Sequence, residues 1–554
     1  MKKKNLSVVL AGMMLASAGF TACNKVADDE NTLEIRVVSL GYGHQYLEEL
    51  KKKFVAANPD TNIEIVATIE QDEGVILTAG PKANTADLML GTYPYFEEVD
   101  NGAGVVKGYD HVLEDLTSFL DETTYSDGTT LRERFLPYFV EALQQEVEIN
   151  GEWEVRDYRL SYAASVLGIV YNKDLFAVNN WELPNTTMEL WALADEIKGK
   201  GIIPFVNDTA VGYMTYFGYT MFAQYMGVDD YYDYYRPTSI DDFYKYLANS
   251  DSYARLYALE ELNRMQNPSY GRLSPYATQD DYGRSQARLV SGEGAMGVNG
   301  DWFEREMSIV ISQAQETGKY QKGTGFMQFP VVSALSDKLS YWNELVNSNG
   351  IANTYYDAEL QPTELADQLE VADKLLSMLV DYVDGGKTGE LPSIAFEGKT
   401  YSTTTEDAEI VEAARKVVSS IGPSHALVIP AYATAKELAK KFVVYMYSDE
   451  GIEICMQYMN GGMLPVKTDF TKIDGYEQRT GFQKEVYSFV QNATIASYPQ
   501  KVLDWKINGL PDPSARFHAH AMDSEKYVSP YDTFVSTSLT KAKFETLMYN
   551  AGLI

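Results

Sequence analysis

The sequence is poor in cysteine and in positive charge, and each shortage narrows what the protein can be. Its 554 residues include two cysteines, so at most one disulfide can form and a large apolar core must supply the stability. Lysine and arginine number 46 against 79 acidic residues, which gives a formal charge of −33. A surface this acidic repels nucleic acid and gains nothing from anionic lipid, so we expect neither as a direct partner.

Catalytic and metal-binding signatures are also missing. The sequence contains no Gly-x-Ser-x-Gly and no His-Glu-x-x-His motif. Gly41-Tyr42-Gly43 lacks the Lys-Ser/Thr ending of a phosphate loop. His518 and His520 have metal-like spacing, but no cysteine or glutamate cluster accompanies them among only five histidines. We therefore predict no metal, no cofactor and no enzymatic activity.

The first 22 residues are typical of an export signal. Three lysines at 2–4 precede an apolar run over 6–20, which is too short to remain as a transmembrane span. The run ends in Phe20-Thr21-Ala22-Cys23, which resembles a bacterial lipobox with Phe20 at the usual leucine position. Two interpretations follow: Cys23 is acylated and begins the mature chain, or the signal is a plain secretory one.

If Cys23 carries lipid, the mature chain has 532 residues (554 minus 22) and a charge of about −36, since the lysines at 2–4 are lost. That length exceeds one core and suits two or three domains. Membrane attachment then depends on the lipid, with residues 23–32 as a polar tether. Cys455 is left without a partner among apolar neighbours, so we predict a buried, inert thiol.

Tyrosine is unusually frequent, with 41 Tyr against 22 Phe. A tyrosine offers a flat apolar face together with a hydroxyl, which suits sugars because their C–H faces stack on rings and their hydroxyls need partners. A general compositional bias toward tyrosine explains the count equally well.

Strand and helix patterns alternate from residue 33 onward. We predict strands over 33–38, 62–66 and 87–90, and a helix over 46–55 that ends at Asn58-Pro59. This alternation predicts an α/β fold with a largely parallel sheet, in which ligands bind beyond the carboxyl ends of the strands. The loops at 41–44 and 91–95 lie at such ends.

Later motifs continue the pattern. An apolar strand over 166–171 runs into a polar turn, and Thr186 with Glu189 forms a capping box before a helix. The glycine-rich run 291–302 predicts turns and close backbone approach, and it ends at Trp302. Residues 365–383 and 435–446 repeat at helical spacing.

Taken together, these motifs resemble the extracellular solute-binding proteins of family 1, the carbohydrate-uptake ABC type that includes maltose-binding protein. The matching segments, in order along the chain, are Leu33-Glu34-Ile35-Arg36, Thr85-Ala86-Asp87-Leu88-Met89, Leu167-Gly168-Ile169-Val170-Tyr171-Asn172-Lys173-Asp174-Leu175-Phe176, and Ser291-Gly292-Glu293-Gly294-Ala295-Met296-Gly297-Val298-Asn299-Gly300-Asp301-Trp302. The tail with Lys436-Glu437-Leu438 and Leu464-Pro465 also fits.

The resemblance implies a two-lobed, periplasmic-binding-protein-like α/β fold with a hinge and an interlobe ligand cleft. It implies that the chain crosses between lobes near 163–168, returns near 325–330 and crosses again after Val466. We therefore expect lobe one to comprise 33–165 plus 325–470, with 331–425 as an insertion on it, and lobe two to comprise 166–324 plus 471–554.

The resemblance also implies which residues line the cleft. They are Tyr42 and His44 after the first strand, Tyr93 or Tyr95 after the third, Ser165 on the crossing strand, Tyr213, and Trp302 with Asn299 and Asp301 beside it. The maltose binder has charged residues where Gly41 and Tyr42 stand, so its specificity is not expected here. Trp302 filling the core of lobe two is the alternative, while Tyr171, Asn172 and Asp87 are expected to be structural.

The implied function is a monomeric, lipid-anchored receptor on the extracellular face of the cell membrane, or on the periplasmic side where there is an outer membrane. It would capture a carbohydrate, expected to be an oligosaccharide, and deliver it to an ABC permease. Two alternatives remain open: an exported glycoside hydrolase with paired carboxylates, and the same fold binding a peptide or another non-sugar solute.

Overall fold

The computed structural model describes residues 29–39, 41–70, 73–92, 98–100, 105–107, 112–149, 152–209, 212–235, 252–459 and 461–496, and the structural account is confined to these. Cys23, Tyr93, Tyr95, His518 and His520, all named from the sequence, lie outside the described residues.

The described strands alternate with helices along most of the chain. The strands are β1 (Thr32–Val38), β2 (Asn62–Thr68), β3 (Leu88–Thr92), β4 (Glu98–Asp100), β5 (Val105–Lys107), β6 (Gln144–Ile149), β7 (Glu152–Asp157), β8 (Leu160–Ser161), β9 (Leu167–Asn172), β10 (Ile203–Phe205), β11 (Gly294–Gly300), β12 (Thr324–Met327), β13 (Ser393–Phe396), β14 (Lys399–Ser402), β15 (Val417–Ser419), β16 (His425–Val428) and β17 (Thr494–Ala496).

The described helices are α1 (Gln45–Ala57), α2 (Glu73–Ala79), α3 (Thr117–Glu122), α4 (Leu131–Arg134), α5 (Pro137–Glu141), α6 (Lys173–Asn179), α7 (Thr187–Gly199), α8 (Tyr213–Met226), α9 (Val228–Tyr235), α10 (Ser252–Gln266), α11 (Tyr282–Ser291), α12 (Phe303–Glu306), α13 (Ser308–Glu316), α14 (Trp342–Leu345), α15 (Tyr355–Glu359), α16 (Pro362–Asp384), α17 (Thr405–Arg415), α18 (Lys436–Met446), α19 (Asp449–Tyr458) and α20 (Gly481–Val490).

Local signals explain where several helices begin. The Asn172 side chain caps α6 by accepting from the amide of Leu175, so the polar turn expected after β9 is the start of a helix. Thr186 caps α7 by accepting from the Glu189 amide. The Glu189 carboxylate reaches the amide of Asn185 instead of that of Thr186, so the predicted capping box is only half formed.

The first sheet has the order β2-β1-β3-β16-β8. Its strands β1, β2 and β3 are parallel, and β16 runs antiparallel to β3. Asp87 joins this sheet to α18, because one carboxylate oxygen accepts from the amide of Glu34 and the other from those of Thr434 and Ala435. This agrees with the structural role expected for Asp87.

The second sheet has the order β10-β11-β9-β12, and all seven residues of β11 are buried. The glycine-rich run was expected to form turns, but most of it is this central strand. Its glycines admit close neighbours: a Cβ on Gly294 would lie 2.0 Å from Val206 Cγ1, and one on Gly300 would lie 2.3 Å from the Trp302 ring. Close backbone approach occurs along the strand, whereas the predicted turns are confined to the ends of the run, at 292 and 301–302.

Residues 331–415 pack against the elements around the second sheet, whereas residues 419–424 lie between the two sheets. Val331 bridges Thr186, the Thr186 hydroxyl donates to Asp373 at 2.8 Å, and Asn185 donates to Asp381 at 2.8 Å. After β12 the chain continues beside the second sheet, where the sequence predicted a return to the first near 325–330. It joins the first sheet at β16, which pairs with β3.

Three chain segments lie side by side between the two sheets. The amide of Ala164 donates to Met463 O at 2.8 Å, and the amide of Ile421 donates to Ser165 O at 3.0 Å. Val166 also forms a bridge with Ser420. These segments connect the two sheets close to the strand ends that hold the candidate residues. We call them the hinge (residues 162–166, 419–425 and 461–466).

Candidate functional site

The candidate site lies where the carboxyl ends of β1, β3 and β11 meet the hinge. His425 at the start of β16 pairs with Thr92 at the end of β3. On the second sheet, Gly300 pairs with Leu167, and the amide of Asp301 donates to Val166 O at 3.1 Å. Topology therefore places the ends of both sheets at one location, where α/β proteins bind ligands.

Tyr42 extends from the first sheet to the second across this location. Gly41 and Gly43 on either side of it have φ of 62° and 70°, a conformation that glycine adopts without strain. The Tyr42 hydroxyl donates to Asp301 Oδ1 at 2.6 Å and lies 2.9 Å from Ser165 Oγ. Its ring packs on Gly462, where an added Cβ would lie 2.3 Å away. The side chain of Tyr42 thus joins the loop after β1, on which it lies, to the hinge and to the end of β11.

Ser165 holds the centre of this network from the hinge. Its Oγ lies 2.6 Å from His425 Nδ1, and its φ of 47° is one that non-glycine residues rarely adopt. Such a conformation costs about 1–3 kcal/mol and persists only where the surroundings enforce it. Here the bonds of Ser165 to Tyr42, His425 and Ile421 do so.

Trp302 is surrounded by three rings. Its centroid lies 6.4 Å from that of Tyr42, 5.6 Å from that of Tyr213 and 6.4 Å from that of His425, with edge-to-face or tilted geometry. Tyr42 and His425 come from the first sheet, and Tyr213 begins α8 beside the second. We call these four residues the ring cluster. Trp302 is 3% exposed, so it is packed between the lobes and not within lobe two alone.

Burial controls the charge of this site. Asp301 is fully buried, and this raises the pKa of its carboxyl to about 7, against the opposing effect of the Tyr42 hydroxyl. Its Oδ2 makes no hydrogen bond with any described residue. Burial lowers the pKa of His425 to about 4, so its imidazole is neutral.

The outer part of the site adds further acidic and basic groups. Burial raises the pKa of Glu306, which accepts a 2.8 Å hydrogen bond from Gln286. The pKa of Tyr213 is raised by burial and further by the nearby Glu306. Arg305 reaches the first lobe, because a Cβ on Gly43 would lie 3.3 Å from its Nη2.

The structure brings together five of the predicted site residues, namely Tyr42, Ser165, Tyr213, Asp301 and Trp302. Asn299 is buried next to them, and its Oδ1 accepts from the amide of Gly300. His44 bonds to Ser39 at 2.8 Å at the start of α1, apart from the ring cluster. Tyr93 and Tyr95 lie outside the described residues.

Sequence reasoning missed His425, Gly462 and Arg305. The apolar run after Pro423, from Ala426 to Ile429, was a readable strand signal, and recognising it would have placed His425 at a strand end. Gly462 and Arg305 carry no signal in the sequence, because their importance comes from contacts with Tyr42 and Gly43 far away in the chain.

Other site types find no support in the described part of the chain. Across it, no three His, Cys, Asp or Glu side chains gather in a way that could hold a metal ion. The same residues include no helix with the length and apolar character needed to cross a membrane. Cys455 is buried without a disulfide, and burial raises the pKa of its thiol.

Solved structures of several proteins resemble this chain over nearly its whole length. The chain is similar to a chitin oligosaccharide binding protein, with 14% identity, TM-score 0.52, and 94% of this chain and 98% of that one covered. It is also similar to the GacH receptor of Streptomyces glaucescens (15%, TM-score 0.52, 94% and 98%) and to maltose-bound MalE3 of T. maritima (14%, TM-score 0.50, 94% and 99%). No curated protein sequence matches the chain significantly.

These likenesses confirm the predicted two-lobed α/β fold. Residues 41–453, which include the whole ring cluster, match the family of bacterial extracellular solute-binding proteins, whose members bind solutes outside the cell. The chain therefore belongs to the family of bacterial extracellular solute-binding proteins.

Proposed function

We propose that this protein is the lipid-anchored, substrate-binding component of an ABC importer that captures an oligosaccharide between its lobes. The supporting observation is the contact of Tyr42 with Asp301 and Trp302 across the two sheets. In this structure the two lobes touch directly through these groups. Opening at the hinge would separate them and admit a ligand, and closure would then enclose that ligand between aromatic faces and hydrogen-bonding groups.

The chemistry of the site suits a carbohydrate. Trp302 and Tyr213 offer ring faces for the C–H face of a sugar, and Asp301, Ser165 and the Tyr42 hydroxyl offer partners for its hydroxyls. Among the structural neighbours, one is a chitin oligosaccharide binding protein, one was solved with acarbose and one with maltose. The same class of ligand is what we propose here.

The proposed lobes follow the contacts of the structure. We assign residues 33–165 and 425–467 to lobe one, and 166–424 with 470–496 to lobe two. Pro465 O accepts from Leu136 and the Lys467 amide donates to Arg134 O, both in the first lobe. Phe470 stacks on Tyr487 of α20, and α20 packs against β12.

The cellular placement rests on the first residues of the sequence. We propose that Cys23 is acylated, that the lipid holds the protein on the outer face of the cell membrane, and that a permease receives the closed, loaded form. The protein is proposed to act as a monomer and without catalysis.

A glycan panel with product analysis tests this proposal. The full chain, purified in mild detergent, is mixed with malto-, chito-, xylo- and raffinose-type oligosaccharides, and its thermal midpoint is measured. A true ligand raises the free energy of unfolding by about 2.7 kcal/mol at a hundredfold excess over Kd.

The matched variants are Trp302→Ala and Trp181→Ala. Trp181 is also buried, but its ring packs on Phe176 of α6 and its indole N–H donates to Glu196 of α7. Loss of the shift in Trp302→Ala alone is the expected result. Cleaved product would favour the hydrolase alternative, and a shift with peptides alone would favour the non-sugar alternative.

A further inference from the structure

The charged groups at the cleft are mostly acidic. Asp301 is fully buried where the two lobes meet, and burial raises the pKa of Glu306, which lies next to Arg305 on α12 and close to Tyr213. Arg305 is the positive group among them, and it faces the Gly43 loop instead of Asp301. Among the described side chains, those linked to Asp301 by hydrogen bonds are Tyr42, Ser165 and His425, all neutral, and hydrogen bonds with the backbone at 166, 301 and 302 only partly oppose the effect of burial on its pKa.

One side-chain oxygen of Asp301 has no hydrogen-bond partner among the residues that the structure describes. Oδ1 accepts from Tyr42, whereas Oδ2 is buried and makes no hydrogen bond with any described residue. A buried polar atom without a partner costs free energy, and a buried charge costs more. A ligand that donates a hydrogen bond to Oδ2 removes this cost, while a ligand that brings a second negative charge increases it.

On the basis of the function proposed above, we propose that Asp301 makes the cleft selective for carbohydrates without negative charge. Hydroxyl-bearing neutral sugars and amino sugars satisfy the carboxylate as donors. Uronate, sulfated and phosphorylated sugars meet buried negative charge and are rejected.

The test compares one backbone with and without charge. The full chain in mild detergent is titrated calorimetrically at pH 7.5 with the neutral oligosaccharides, with tetragalacturonate and with de-N-acetylated chitotetraose. For the neutral glycan that binds, derivatives are then prepared in which one sugar unit at a time carries a carboxylate, by oxidation of its C6 hydroxymethyl group or, for a xylo-oligosaccharide, which has none, by carboxymethylation of a ring hydroxyl. We expect at least one derivative to bind about 100-fold more weakly than its parent, since like charges brought together are strongly unfavourable.

Two variants separate local from overall charge. Asp301→Asn removes the buried carboxylate, and we expect the discrimination against that derivative to fall to about tenfold or less. Glu437→Gln removes the same charge from a side chain that is 85% exposed on lobe one, and we expect no change in discrimination.

If Asp301→Asn does not fold, the wild type gives the same answer through pH. The titratable groups facing Asp301 are Tyr42 on the loop after β1, Tyr487 on α20 and His425 at the start of β16. Between pH 8 and pH 5.5 Asp301 is the member of this set that gains a proton, while a uronate stays charged, so discrimination should narrow at pH 5.5.

Several results would overturn the inference. Derivatives that all bind within threefold of the parent, or an unchanged discrimination in a folded Asp301→Asn variant, remove the role of Asp301. Tight binding of tetragalacturonate that is lost in Arg305→Gln would show that the site selects anions. Binding of no glycan at all would overturn the proposed function and this inference with it, whereas equal binding of neutral and anionic glycans overturns the inference alone.

Discussion

The two lobes contribute to the cleft in different ways. In the proposed site, lobe two supplies the buried Trp302 and Asp301 from the end of β11 and the partly buried Tyr213 from the start of α8. Lobe one supplies Tyr42, on a loop whose two glycines have positive φ, and His425 at the start of β16. The wall that we propose for lobe two is therefore held by a strand and a helix, whereas Tyr42 depends on a backbone turn. We expect the proposed site to be complete only when the hinge brings the two sides together.

The largest expected effect comes from removing the side chain of Trp302. Trp302→Ala should cost about 3–5 kcal/mol of stability, because a buried aromatic leaves a cavity, and it should abolish glycan binding. Trp181→Ala should cost stability without affecting binding. Thermal midpoints with and without the glycan check both. Retained binding in Trp302→Ala would contradict the assignment of the wall to lobe two.

Adding a methyl group next to the Trp302 ring should have the next largest effect. A Cβ on Gly300 would lie 2.3 Å from the Trp302 ring, so Gly300→Ala should displace the indole and cost about 1–3 kcal/mol of stability. We expect affinity for the glycan to fall in parallel, measured by calorimetry. Wild-type affinity in Gly300→Ala would mean that the position of Trp302 is not what the ligand requires.

Removing the hydroxyl that joins the lobes should have an effect of similar or smaller size. Tyr42→Phe keeps the ring but removes the hydroxyl that donates to Asp301 Oδ1, beside an Oδ2 with no hydrogen-bond partner among the described residues, which costs about 1–3 kcal/mol. Urea unfolding of the ligand-free chain measures this cost. An unchanged free energy of unfolding would show that the Tyr42–Asp301 bond does not form in the free protein.

Proton linkage distinguishes the same groups. Because the pKa of Asp301 in the folded chain is about 7, above its ordinary value, its contribution to stability falls as pH rises from about 4 to 7. Because the pKa of His425 is about 4, below its ordinary value, its contribution rises as pH increases from about 4 to 6.5. The two trends partly cancel in the wild type.

We therefore expect Asp301→Asn to lose more stability than the wild type on acidification from pH 6.5 to 4.5. Thermal midpoints of both proteins across this range provide the measurement, and Glu437→Gln is the control. A midpoint difference that stays constant with pH would show that Asp301 has an ordinary pKa in the folded chain.

The smallest effect belongs to the loop of lobe one. Gly41 has φ of 62°, and an added Cβ would lie 3.5 Å from Trp302 Cβ, which is ordinary contact. Gly41→Ala should therefore cost only about 1 kcal/mol, from the left-handed backbone. Its midpoint is compared with that of Gly300→Ala. A larger loss in Gly41→Ala than in Gly300→Ala would reverse the comparison between the lobes.

Local patterns in the sequence predicted much of the fold. Strands β1, β2 and β3 and helices α1, α16 and α18 lie within a few residues of the predicted positions, because apolar periodicity follows from which face is buried. The same patterns could not place residues 331–424, since an amphipathic helix such as α16 does not reveal which lobe covers its apolar face.

The site shows the same limit. The resemblance to a known family implied Tyr42, Ser165, Tyr213, Asp301 and Trp302 as site residues, because its motifs occur along the chain in a recognisable order. His425 was missed, although it touches Ser165, because 260 positions separate the two in sequence and the strand after it was not recognised. Long-range contacts across a hinge leave no local signature.

The most direct test of the account is a fluorescence titration of the wild type, Trp302→Phe and Trp181→Phe with the glycan that binds. Each variant loses one of the six tryptophans of the chain. Trp302 contacts rings of both lobes, whereas Trp181 packs on Phe176 within lobe two. The account predicts a ligand-induced change in emission in the wild type and in Trp181→Phe, and none in Trp302→Phe. A full change that persists in Trp302→Phe and disappears in Trp181→Phe would contradict it.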